Sequence, residues 1–114
     1  MRLPKLRKYM SVLQGYLGLI NWTITLRWAV KSDEFCYGQQ GQAVWSATTK
    51  EAEIIVKKGS DELHTLAHEL LHVFLEGHTS ERGVIKSIDQ ETYEGNLNHL
   101  ANVLIKLMEA QGKI

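Results

Sequence analysis

The chain has 114 residues, 44% of them hydrophobic, and its 13 basic residues are cancelled by 13 acidic ones. That length allows one domain with a thin core, and the charge balance gives no electrostatic case for nucleic acid or an anionic membrane as partner. No apolar run reaches the ~20 residues that span a bilayer, and the lone Cys36 excludes an intramolecular disulfide, so a soluble, cytoplasmic protein is expected.

Pro4 suits a first helical turn, and Leu6, Met10, Leu13 and Leu17 then recur at steps of three and four. This predicts an amphipathic helix over residues 4–17, weakened at its end by Gly15 and Gly18. Its basic start, with Arg2, Lys5, Arg7 and Lys8, has the charge of a signal peptide. The apolar pattern that follows is periodic and interrupted by Gln14, so a folded helix is the reading. Trp22, Ile24, Leu26, Trp28 and Val30 alternate with Thr23, Thr25, Arg27 and Ala29, which predicts a strand with one buried face. Residues 31–41 read as a loop, 43–47 and 52–57 as two strands. The short connection between those two predicts antiparallel pairing.

Residues 61–76 form the next predicted helix. Ser60 is the expected N-cap, Asp61 and Glu62 suit the positive end of the helix dipole, and Gly77 is a stop. Leu63, Leu66, Ala67, Leu70, Val73 and Phe74 make its apolar arc. After a loop over 77–86, a last helix is predicted over 89–109, with Leu97, Leu100, Ala101, Leu104, Ile105 and Met108 buried. Helix, three strands, helix, helix describes an α+β domain with a small, mainly antiparallel sheet.

The chemistry is concentrated in His68-Glu69-Leu70-Leu71-His72. On a helix, positions four apart lie one turn apart on one face, so His68 and His72 point two imidazoles at one spot, as a tetrahedral Zn²⁺ requires of two ligands. Glu69 sits beside them, where a carboxylate can take a proton from a zinc-activated water and pass it to a leaving amine. The bland alternative is two surface histidines on a half-buried helix.

A catalytic zinc site usually has a third protein ligand, and three residues compete for it. His78 completes the H-E-x-x-H-x-x-G-x-x-H spacing, but Leu75 stands where that pattern needs a chain-breaking Gly. Glu91 and Glu94 lie on nearly one face of the last helix, and periodicity does not separate them. Asn98, one turn after Glu94, could orient a ligand. His64, one turn before His68, could support the ligands from behind, but an ordinary helix-surface or buried neutral histidine is the simpler reading. The three tryptophans read as core and sheet residues.

The metal motif together with Glu94-Gly95-Asn96-Leu97-Asn98-His99-Leu100-Ala101 resembles the gluzincins, His-Glu-His zinc peptidases related in plan to thermolysin, and among them the ImmA/IrrE-type and short phage-encoded metallopeptidases. The resemblance is specific in those two motifs and loose upstream. It implies a zincin-like fold, Zn²⁺ held by His68, His72 and Glu94, Glu69 as the catalytic base, and a peptide or protein substrate. It also implies that the strand nearest the cleft, for which residues 43–47 are the candidate, holds the substrate by strand addition. Tyr93 and His99 lie on the glutamate helix, and either could stabilise an oxyanion as a His or Tyr does in larger gluzincins, although nothing local marks either one. Cys36 could hold such an enzyme latent as a zinc thiolate, but a free loop cysteine is the simpler reading. The expected activity is zinc-dependent peptide hydrolysis. The rivals are a zinc-bound, catalytically silent domain that binds a partner, and a closed structural zinc site.

Overall fold

The computed structural model describes residues 1–33, 35, 39–77 and 90–114. Cys36, His78 and the expected loop and helix start over 78–89 lie outside the described residues. Six elements appear in the expected order: α1 (Leu3–Tyr16), β1 (Thr23–Trp28), β2 (Gly41–Ser46), β3 (Glu51–Val56), α2 (Glu62–Glu76) and α3 (Gln90–Ala110).

The sheet order is β1-β3-β2. β2 pairs antiparallel with β3, Gly41 opposite Val56 and Ser46 opposite Glu51, as the short connection predicts. β1 pairs with β3 in parallel, Thr23 opposite Glu51 and Trp28 opposite Val56, so the sheet is mixed rather than mainly antiparallel. The reason lies in β3. Ile54, Ile55 and Val56 are all buried, and a run apolar on both faces belongs in the middle of a sheet. Once β3 is central, β1 takes its free edge, where it runs parallel to β3.

α1 and α2 cover one sheet face. Leu26, Ala43, Ala52, Ile54 and Val56 meet Leu6 and Leu13 of α1 and Leu66 and Leu70 of α2 in one core. Leu6, Leu13, Leu66 and Leu70 are each 0% exposed, and burying a side chain of this size contributes about 1.5–3 kcal/mol. Gln14, which breaks the apolar pattern, closes the turn into β1: its Nε2 donates to the carbonyls of Leu19 at 3.2 Å and Trp22 at 3.4 Å. Gly18, at φ +68°, supplies the left-handed residue of that turn.

The cap of α2 falls one residue later than expected. Asp61, not Ser60, accepts from the His64 N–H, while Ser60 Oγ donates back to the Lys57 carbonyl at 2.6 Å. Gly77 ends the helix with its N–H on the Val73 carbonyl. α3 packs along α2 through buried Tyr93, Leu97, Ala101 and Met108. Leu100 and Phe74, expected inside, are 41% and 47% exposed. No helix among the described residues is long and apolar enough to cross a membrane.

Gly41 sets how closely β2 approaches α2. A Cβ there would lie 2.6 Å from Thr65 Cγ2, 2.9 Å from the Ile55 carbonyl oxygen and 3.3 Å from Glu69 Cγ. The carbonyl belongs to the central strand and cannot move aside cheaply. Gly41→Ala is therefore expected to cost about 1–3 kcal/mol, the usual range for overpacking, read as a lower denaturant midpoint at unchanged m-value. Adding Thr65→Ser should restore only part of the loss, because the contact with the Ile55 carbonyl remains.

Candidate metal centre

The histidines of α2 form a stripe, His64, His68 and His72, each a turn from the next. A second stripe runs beside it at steps of seven: Glu62, Glu69 and Glu76, which are 7%, 8% and 5% exposed. The glutamates are buried by different neighbours: Glu62 against Met1 and Gly59, Glu69 against Gly41 of β2, and Glu76 against Tyr93 of α3. The helix is therefore not half-exposed: β2 and β3 take one side and α3 lies across the histidines.

His68 and His72 stack edge to face with ring centroids 5.0 Å apart. Glu94, from the second turn of α3, reaches both rings. Its Oε2 is 2.7 Å from His68 Nε2 and its Oε1 3.4 Å from His72 Nε2. Gln90 Nε2 donates to Glu94 Oε1 at 2.8 Å and fixes that carboxylate from the preceding turn. One ligand atom from each of His68, His72 and Glu94 lies within 4.8 Å of the other two, and this group could hold a metal ion. Glu91 is exposed and outside the group. The two glutamates share a helical face, but only Glu94 sits where α3 crosses the histidines.

The Nδ1 atoms decide what the rings offer. His68 Nδ1 lies 2.8 Å from Asn98 Oδ1, and His72 Nδ1 lies 2.8 Å from Glu76 Oε2. Both partners offer an acceptor oxygen, which favours the tautomer with its proton on Nδ1, and the Nε2 atoms face Glu94. Burial, reinforced by the neighbouring His72, holds His68 below the ordinary imidazole range, against the pull of Glu94 and Asn98. Two ring nitrogens and a carboxylate at these distances call for a proton or a metal cation among them. Two neutral imidazoles and one carboxylate are a donor set that suits Zn²⁺.

Asn98, expected to orient a ligand, does so on His68. Its Oδ1 also lies 3.2 Å from His64 Nε2, and His64 Nδ1 lies 3.1 Å from Asn102 Oδ1. His64 thus belongs to the centre's outer hydrogen-bond chain. Glu76 escaped notice altogether, although its i,i+4 spacing from His72 was a usable signal. Its Oε2 accepts from the Tyr93 hydroxyl at 2.8 Å as well as from His72. The Tyr93 ring packs edge-on to His72 at 5.7 Å, and burial together with the Glu76 bond raises its phenol well above the usual range. Tyr93 is thus the donor that satisfies Glu76, and His99 is exposed.

The centre opens into a cleft of about 860 Å³. Gln40, Gly41 and Ala43 form one wall, Thr65, His68, Glu69 and His72 another, and Tyr93, Glu94 and Asn98 close it. Comparison with protein-family models, curated proteins and solved structures finds no match to this chain. What the chain can do is therefore read from its own side chains.

The ligand set is tested by zinc affinity in chelator competition. Losing an outer partner typically costs ~10–100-fold. Asn98→Ala and Glu76→Ala are expected in that range, Glu94→Ala above it, and Glu91→Ala and His78→Ala near the parent value. A loss in Glu91→Ala or His78→Ala as large as that in Glu94→Ala would overturn the assignment.

Proposed function

We propose that the chain is a zinc-dependent metallopeptidase of gluzincin plan, with His68, His72 and Glu94 as ligands and Glu69 as general base and acid. The observation that carries this reading is the buried carboxylate of Glu69 on the cleft wall beside two imidazoles whose Nε2 lone pairs converge with Glu94. When bound, zinc supplies Lewis-acid polarisation of the scissile carbonyl and lowers the pKa of water.

The chain's own residues do the rest. Asn98 and Glu76 hold the two rings in the tautomer that leaves Nε2 free. Gln90 and the packing of α3 hold Glu94. Glu69 accepts the proton of the attacking water and returns it to the leaving amine nitrogen, so the carboxylate ends the cycle as it began. Its side chain lies against Gly41 on the cleft wall, within reach of the space beside the two rings. An extended peptide lies in the cleft between β2 and the two helices, with its scissile bond at the centre.

Glu69→Gln separates metal binding from proton transfer. It is expected to keep zinc at the parent stoichiometry and to lose ~10²–10⁴-fold in kcat on a peptide substrate. Unchanged turnover would remove Glu69 from the mechanism. A zinc-loaded parent that cleaves nothing in a diverse peptide library would favour a silent, partner-binding domain instead.

A further inference from the structure

The chain is neutral overall, yet the fold separates its charges. Residues 1–32 contain Arg2, Lys5, Arg7, Lys8, Arg27 and Lys31 and no acidic residue. α1 runs back along β1: Gln14 reaches the Trp22 carbonyl near the start of the strand, and Arg7 Nη2 reaches the Leu26 carbonyl further along it. The first two turns of α1 therefore lie beside the end of β1. The parallel register sets Trp28 level with Val56, so Lys31, Lys57 and Lys58 emerge at that same end. Lys58 Nζ lies 5.7 Å over the Trp28 ring and Lys57 Nζ 4.9 Å over the Phe35 ring.

The described carboxylates at this end are already engaged. Asp33 takes a two-pronged bond from Arg27 at 2.8 and 2.9 Å. Glu62 bonds the Gly59 N–H and the Met1 amine, and Asp61 caps α2. Arg2, Lys5, Arg7, Lys8, Lys31 and Lys58 are exposed and make no ion pair among the described residues. This cationic surface runs into the cleft, because the Lys57 N–H donates to the carbonyl of Gln40 at 2.8 Å, and Gln40 and Gly41 are cleft wall. Beyond Gly41 the cleft turns acidic, with Glu69, Glu76 and Glu94 along it. A phosphate backbone crossing that boundary would be repelled. A polypeptide with acidic residues in one stretch and uncharged residues beside it matches both halves.

We propose that this end is a docking surface for an acidic stretch of the peptide substrate, flanking the segment seated in the cleft. The inference rests on the peptidase reading for what the peptide is, and adds its charge. It is tested with zinc-loaded Glu69→Gln protein, so that binding is read without cleavage. Fluorescence anisotropy compares a labelled peptide of alternating Glu and Ser with its Gln/Ser counterpart and with duplex DNA.

The Glu/Ser peptide is expected to bind at least about tenfold tighter than the Gln/Ser peptide. Lys57→Glu with Lys58→Glu should remove that preference, each exposed pair contributing modestly. Raising salt from ~0.1 to ~1 M, which shortens the screening length from about 10 to about 3 Å, should remove it too. Lys57→Gln with Lys58→Gln serves if the charge reversal fails to fold, and should weaken binding less. Equal affinity for the two peptides, an unchanged preference in the substituted chain, or tighter binding of DNA than of the acidic peptide would overturn the proposal. A parent that binds the acidic peptide but cleaves no peptide would defeat the peptidase reading and leave the surface standing.

Discussion

Two hydrogen bonds govern the centre of this molecule. His68 Nδ1 lies against Asn98 Oδ1 and His72 Nδ1 against Glu76 Oε2. Rotating either ring would break its contact, and both Nε2 atoms face Glu94. Asn98 comes from α3 and Glu76 from α2, so the two rings are held from different elements. The angle at which α3 crosses α2 thereby becomes part of the ligand geometry. Tyr93 secures that crossing from within by closing the remaining demand of Glu76 with its hydroxyl.

Buried carboxylates are costly unless every lone pair has a partner, and α2 carries three of them in one stripe. Each finds a different answer. Glu62 accepts from the turn that precedes its own helix and from the chain's amine. Glu76 accepts from an imidazole and a phenol. Glu69 lies along the cleft wall between β2 and the histidines. The first two are held by named hydrogen-bond partners, whereas the third lies along the cleft wall. The same residue type at the same helical phase thus takes separate roles according to what packs against each turn.

The charge pattern shows a related effect. Summed over the chain the charges cancel, and the sum gives no reason to expect an anionic partner. Folding undoes that average. Parallel pairing of β1 with β3 and the return of α1 along β1 collect cations from three separated segments at one end. Glu69, Glu76 and Glu94 line the cleft. Net charge is a property of composition, while the field a ligand meets is a property of placement.

The sequence by itself determined the elements and the local chemistry. Periods of 3.6 and 2 residues set the helices and strands, and one helical turn sets His68 and His72 side by side wherever that helix sits. Glu69 follows from the same local geometry. Tertiary structure decided what depends on the crossing of distant segments. Glu94 and Glu91 share a face of α3, and only the docking of that helix onto α2 brings Glu94 to the two rings. The same docking decides that the ligand Asn98 orients is His68. The parallel pairing of β1 depends on which strand needs burial on both faces, a competition among three strands that no single strand's pattern records. The i,i+4 pair His72–Glu76 was legible locally, but its meaning came from Tyr93, seventeen residues on. Periodicity fixes where a side chain points from its own helix; what it meets there is set by the packing of elements far apart in the chain.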